Sequence, residues 1–495
     1  MRLRILLAVA LILAAGLCVY KFSRSTERLR AKEARPTAAA EAPKPGRNRL
    51  MQYMESPSGD AVPGLFVVIS DSESDFSQFH ADAKKQGLDV VSDCEAMRIA
   101  LVSAPDADSR AALCKILPPR SLLEYDFVSR SPEMPLSSTA QDGFGKDAPA
   151  SIGCPDDADW GRGVSLALLD EAVVAHPELA SSTIVRFGDS APTQAGSHGT
   201  AMASIICGRG EGVSGVARSV RLINFVVSDA GGTGDSFRIA KGISDAIDAG
   251  ASVICCESLV SGDSKALRLA VRRAVDSNVI VVAPVSSGGD LVYPAAIPEV
   301  LSVAAVDRSG VPVGTPRTGY SLVAPGAGLS VALPGGSVGP ADGTGPAAAL
   351  VSASLAGILG ENPGLGAYPA AELLRNYADR SGLDSDMGSG IVNLARVRNR
   401  TVQGLRDIAV TGVDFTPDAH GGGTARVAVQ NKGTATTAFI LEVTSAGRVY
   451  RFPNPGLAGN HFEIYSVAIP DAGDGQISAN AVTQVADMNP DNNVW

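Results

Sequence analysis

Charged side chains are scarce in this 495-residue chain: they make up 19% of it and aromatic residues 5%, against 53 glycines and 30 prolines. That balance excludes long charged helices and fits a globular protein with many turns. Basic residues are scarcest where a nucleic-acid binder would need them. Residues 1–50 hold 11 Lys and Arg against 3 Glu, which leaves 31 basic against 49 acidic residues, a body of net charge −18 behind an arm of +8. Phosphate neutralisation needs a basic face, so nucleic-acid binding is set aside. Cysteine is also sparse: Cys18, Cys94, Cys114, Cys154, Cys207, Cys255 and Cys256 are an odd count with no regular spacing. Most lie in apolar runs such as SIICG and SVICCES, where a thiol behaves as a small hydrophobe. A Cys94–Cys114 disulfide fits an exported protein, although pairing is not readable from sequence.

The N-terminus carries a long apolar run. After MRLR, residues 5–20 are unbroken apolar sequence, followed by KFSRSTERLRAK. Sixteen residues exceed most signal-peptide cores and just reach the short end of a membrane span. Cleavage after Gly16 and an uncleaved anchor both fit residues 1–30; Lys21, Arg24 and Arg28 favour the anchor. Both flanks are basic, so orientation stays open. Cys18 is a poor lipidation site because Leu17 precedes it. Residues 31–62 have the Ala/Pro/Lys composition of a linker.

Three folded units are expected beyond it. Residues 63–130 read as βαββαβ, a ferredoxin-like α+β unit. Residues 131–152 are rich in Pro, Ser, Ala and Gly and read as a second linker. Between 153 and 400, continuous apolar runs such as GVSLALLD, VRLINFVV and VIVVAPV alternate with helical patterns. This predicts an α/β parallel sheet covered by helices on both faces. From 405 to 495 only short strands and turns remain (DIAVTGVDF, GTARVAVQN, AFILEVTS), an Ig-like β-sandwich of the seven-strand class.

Four ordered blocks in the middle unit carry chemistry. The first is VSLALLDEAVVAHPEL, a strand ending on Asp170. The second is SHGTAMASIICG followed by GVSGVA, with His198 opening a helix. The third is VIVVAPVSSGGDLVYPAAIPEVLSVAAVD, and the fourth is LVAPGAGLSVALPGG followed by ADGTGPAAALVSASLAGIL. Together they resemble the subtilisin-like serine protease (subtilase, peptidase S8) family over about 250 residues. The resemblance implies Asp170 as the orienting carboxylate and His198 as the base. Gly345 falls on the nucleophile, where the family has serine after Gly-Thr. Ser287 falls where the family has an oxyanion asparagine; a register shift would put Ser286 or Gly288 there instead. Gly231, Gly232, Thr233 and Gly234 fall on the family's substrate-pairing edge. The family further implies that residues 63–130, ending in Glu124-Tyr125-Asp126, correspond to its inhibitor-type propeptide. Residues 131–152 would be the maturation segment. The opening DIAVTGVDFTPD and closing VADMNPDNNVW resemble CARDB-type modules of bacterial surface proteins.

Glycine has no atom with which to attack a carbonyl. In subtilisin, loss of the serine costs about 10⁶ in kcat. Loss of an oxyanion donor costs about 10²–10³ in an intact site. The sequence therefore points to an exported pseudoprotease, anchored or secreted, that binds a peptide or protein segment in its cleft by strand addition, its own propeptide-like unit included. No cofactor or metal is called for. The alternatives are an active serine endopeptidase with a non-standard nucleophile, and a structural cell-surface protein.

Overall fold

A computed structural model describes residues 47–55 and 60–494, except 136–142, 188–196, 316–317, 381–386, 419–421, 471–475 and 488. The apolar run at residues 5–20 and Cys18 lie outside these. Among the described residues, no helix is long and apolar enough to cross a membrane. Two compact units are separated at Ser56. Helix α1 (Arg47–Glu55) belongs to the first, within the stretch expected to be linker. Its RNRLMQYME sequence is free of Pro and Gly and rich in good helix formers, which the Pro-rich composition just before it obscured.

The second unit opens with β1 (Ala61–Ile69), α2 (Glu73–Gln86), β2 (Asp89–Cys94), β3 (Ile99–Ser103), α3 (Ala107–Ile116) and β4 (Leu122–Arg130). The predicted βαββαβ order is present, and these four strands form an antiparallel sheet in the order β4-β1-β3-β2. Local sequence sets the helix ends. Ser72 accepts the Asp75 N–H at the start of α2, Gly87 closes it at φ +67, and Asp106 with Ser109 forms a capping box for α3. Cys94 and Cys114 are not in a disulfide, so the pairing considered above is not formed. Cys94 instead points at Ser244 Oγ, 3.4 Å away.

The central part contains β5 (Ser165–Asp170), β6 (Thr183–Phe187), α4 (His198–Cys207), β7 (Arg221–Val226), β8 (Thr233–Asp235), α5 (Ser236–Asp248), β9 (Val253–Cys256) and β10 (Leu259–Val260). It continues with α6 (Lys265–Asp276), β11 (Ile280–Pro284), β12 (Leu301–Val306), β13 (Leu322–Pro325), the hairpin β14 (Leu329–Leu333) and β15 (Ser337–Ala341), α7 (Thr344–Glu361), α8 (Ala367–Asn376) and α9 (Leu394–Asn399). Seven strands form a wholly parallel sheet in the order β13-β12-β11-β9-β5-β7-β6. One face packs on α4, α7 and α8 and the other on α5 and α6, as continuous apolar strands require. Val67, Ile99 and Leu101 of the N-terminal sheet join the second of these cores. The expected linker 131–152 is only partly a linker. Phe144, Ala148 and Ile152 are buried in the first core, because three apolar side chains within that Pro/Ala-rich stretch meet a helix-covered face.

Six strands follow: β16 (Ile408–Pro417), β17 (Gly423–Asn431), β18 (Thr437–Ser445), β19 (Arg448–Leu457), β20 (Phe462–Ile469) and β21 (Ile477–Thr483). They make two antiparallel three-stranded sheets, β16-β17-β20 and β19-β18-β21, around a core that includes Val427, Phe439 and Leu441. Among the described residues the sandwich therefore has six strands, one fewer than its class. β19 runs through Pro453 and Pro455, which an edge strand tolerates because its outer N–H positions need no partner.

Candidate active site

β5 is buried along its length and ends on Asp170, which is 0% exposed. The loop after it is fixed by Asn224 on β7. Asn224 Oδ1 accepts the Val173 N–H at 2.9 Å, and its Nδ2 donates to the Leu168 and Glu171 carbonyls. His198 is the first residue of α4, and Gly199 behind it lets the helix approach: a Cβ there would stand 2.4 Å from the Glu171 carbonyl oxygen. His198 Nδ1 donates to Asp170 at 2.8 Å, and the His198 N–H donates to Glu171 Oε2 at 3.1 Å. Asp170 and His198 are thus brought together.

Gly345 lies in the first turn of α7, after Gly343 at φ +131 and ahead of Pro346. A Cβ on Gly345 would stand 3.2 Å from His198 Nε2, so the three sequence-predicted positions converge. His198 Nε2 is buried and, among the described residues, has no hydrogen-bond partner. The serines further along α7 are engaged elsewhere: Ser352 Oγ donates to the Ala348 carbonyl and Ser354 Oγ to the Leu350 carbonyl. Such bonding back onto the preceding turn is how a buried helical serine satisfies its hydroxyl.

One residue in this cluster was not assigned to the site from the sequence. Glu257 follows β9, is 0% exposed, and its Oε2 would be 3.0 Å from a Cβ on Gly345. Its Oε1 accepts from the Cys255 thiol at 3.1 Å, while Oε2 has no partner. A glutamate directly after an apolar strand was the available signal, since a buried carboxylate demands a partner. Burial raises Glu257 to about 8, with Asp170 adding to the shift and His198 opposing it. Burial works against a charged imidazole at His198, but Asp170, followed by Glu257 and Glu171, outweighs it and raises the histidine to about 9. Glu171 is pushed up to about 7 by burial and by Asp170. Burial holds the Cys255 thiol well above its ordinary value, so it is not a thiolate nucleophile.

The cleft beside this cluster is filled by the chain itself. β4 extends past its own sheet and lies between β8 and β10, pairing Ser129 with Gly234, Arg130 with Thr233, and Arg130 with Leu259. The Ser131 N–H then donates to the Gly232 carbonyl at 2.8 Å, and the Asp342 N–H donates to the Pro135 carbonyl at 3.0 Å. Gly232, Thr233 and Gly234 thus pair with the segment 128–131, while Gly231 does not: its N–H bonds to Asp229 Oδ1. Two carboxylates dock that strand. Glu124 accepts from Ser264 Oγ, the Lys265 N–H and the Ala266 N–H at the start of α6. Asp126 accepts from Ser236 Oγ and the Phe237 N–H at the start of α5. Each sits at a positive helix end. Ser287 lies in the turn after β11, where its carbonyl accepts the Thr315 N–H at 2.7 Å; Gly288 N–H bonds to Ser286 Oγ. Among the described residues, no group of three or more His, Cys, Asp or Glu is arranged to hold a metal ion.

Comparison with known proteins places these features. Residues 161–390 match the model of the subtilase family, Peptidase_S8. The chain is 32% identical over 241 residues to Subtilisin Savinase of Lederbergia lenta, covering 47% of this chain and 90% of that protein. It is 33% identical over 157 residues to a thermostable alkaline protease of Halalkalibacterium halodurans, covering 30% of this chain and 44% of the relative, so less than half of that relative's length is spanned. It is also similar to the solved structure of fervidolysin from Fervidobacterium pennivorans, a keratinolytic enzyme related to subtilisin. That likeness has a TM-score of 0.61 at 18% identity and covers 87% of this chain and 88% of fervidolysin, which shows a shared fold. With nine-tenths of a subtilisin matched at 32% identity, the chain belongs to the subtilase family.

Proposed function

We propose that this subtilase is catalytically silent: an exported pseudoprotease whose cleft is held by its own N-terminal unit and which serves as a protein-binding module. The observation that carries the reading is His198 Nε2. The base is oriented by Asp170, yet among the described residues no hydroxyl lies within hydrogen-bond distance of its Nε2, and residue 345 is glycine. In subtilisin, removing the serine leaves only about 10³–10⁴ over uncatalysed hydrolysis. Ser287 in place of an oxyanion amide weakens the site further.

Residues 61–130 are read as an inhibitor-type propeptide that stays attached. Support comes from Glu124 and Asp126 on two helix N-termini and from β4 between β8 and β10. The strand-pairing edge at Gly232–Gly234 then serves a segment in cis, and a peptide in trans binds only when β4 leaves it. The C-terminal sandwich is read as a CARDB-like surface module. An extracytoplasmic location follows from the secretion typical of subtilisins and from the apolar run at residues 5–20, acting as anchor or signal.

Exposure of the full chain to a fluorophosphonate probe tests the reading. The wild-type chain is expected to stay unlabelled. Covalent labelling that His198→Ala removes would overturn it.

A further inference from the structure

We infer that Glu257 and His198 face one another across the position of residue 345, and that the Glu257 carboxyl, without hydrogen-bonding the imidazole, biases it toward its protonated form. This rests on the reading of the chain as catalytically silent and adds a cause to it. The geometry is specific. A Cβ at residue 345 would be 3.0 Å from Glu257 Oε2 and 3.2 Å from His198 Nε2, both nearer than ordinary van der Waals contact. Those two atoms are buried and are the members of the cluster left without a hydrogen bond. Oε1 is tied to the Cys255 thiol at 3.1 Å, which fixes which oxygen faces the imidazole.

A side chain at residue 345 would press on both groups, and Glu257 or His198 would have to give by a few tenths of an ångström. His198 is flanked on one side by Asp170 on Nδ1, on its N–H by Glu171, and on the other side by Glu257, with Cys255 behind the last. Asp170 stabilises its protonated form, and Glu257 adds to this once it ionises, above about pH 8. A base that keeps its proton cannot take one from a nucleophile, so the site is closed by charge as well as by the missing hydroxyl.

The experiment is the ¹⁵N titration of His198 in the full chain labelled selectively at its five histidines, with His198→Asn to assign the signal. In the wild type, His198 is expected to stay an imidazolium throughout the neutral range and to lose its proton near pH 9. A wild-type titration at or below the ordinary histidine value overturns the inference. In Glu257→Gln, which keeps the shape and removes the charge, the midpoint is expected to fall by about one unit or more; an unmoved midpoint in the folded variant also overturns it. Neither outcome depends on catalysis. Probe labelling of the wild-type chain would sink the silent-site reading instead, whatever the titration gives.

Discussion

Removing the Glu124 carboxylate by Glu124→Ala should loosen the N-terminal unit from the central sheet while leaving each of them folded. Glu124 is 5% exposed and accepts three hydrogen bonds, at 2.9 Å from Ser264 Oγ, 2.7 Å from the Lys265 N–H and 3.0 Å from the Ala266 N–H. Hydrogen bonds to a charged group contribute about 1.5–3 kcal/mol each, which sets a ceiling well above 4 kcal/mol. Two terms reduce it. Burial opposes the charged carboxylate, raising Glu124 above its ordinary value, and Ser264 Oγ still caps α6 through the Leu267 N–H. A net loss of about 2–3 kcal/mol is expected, and at 1.4 kcal/mol per decade that is about 30- to 150-fold in the opening equilibrium. Native-state hydrogen exchange reads it directly as faster exchange of the β4 amides, with β11 and β12 unchanged. A change below about threefold, or one spread evenly over the chain, would refute the assignment of Glu124 as a docking group.

Three further outcomes follow from the same structure. Gly357→Ala should destabilise the central part by about 1–3 kcal/mol or more, since the new Cβ would lie 1.8 Å from Trp160 Nε1 in a fully buried helix; unchanged denaturant unfolding would contradict that packing. Stability should fall as pH rises from about 4.5 to 9. Glu171 and Glu257 are raised to about 7 and 8, so the folded state binds more protons than the unfolded one through that window, and the contribution of His198 is lost as pH climbs through about 9. Denaturant midpoints that rise across this range would contradict the sign. Asp379→Asn should release the C-terminal sandwich. Asp379 joins Arg396 at 3.1 Å, Lys432 at 3.0 Å and Asn393 at 2.9 Å, and breaking a buried pair costs about 3–5 kcal/mol; a calorimetric trace without a separate early transition would count against it.

Much of the fold was legible because its cause is local. Continuous apolar strands alternating with amphipathic helices can only be a covered parallel sheet, and the βαββαβ order showed in 70 residues. The site positions were legible because Asp170, His198 and Gly345 sit in blocks whose neighbours fix their register. What stayed hidden depends on distant contacts. Glu124 and Asp126 were visible as a strand ending, but their helix-capping role joins residues more than a hundred positions apart. Glu257 was visible only as a glutamate directly after the apolar run that forms β9. Its place beside Gly345 is set by how β9 and α7 meet across the sheet, which no single stretch encodes. The burial of Phe144, Ala148 and Ile152 likewise depends on a face built from distant helices.

The most direct test of the account is the intact mass of the full chain after prolonged incubation at neutral to alkaline pH. Ser131, Pro132 and Met134 line the same cavity as His198, at the start of the segment the family resemblance assigns to maturation. The account predicts an uncut chain of 50.6 kDa or, if the N-terminal segment is removed in the cell, a product that still carries residues 61–152 joined to the rest. Cleavage between residues 131 and 152 that disappears in His198→Ala would contradict it.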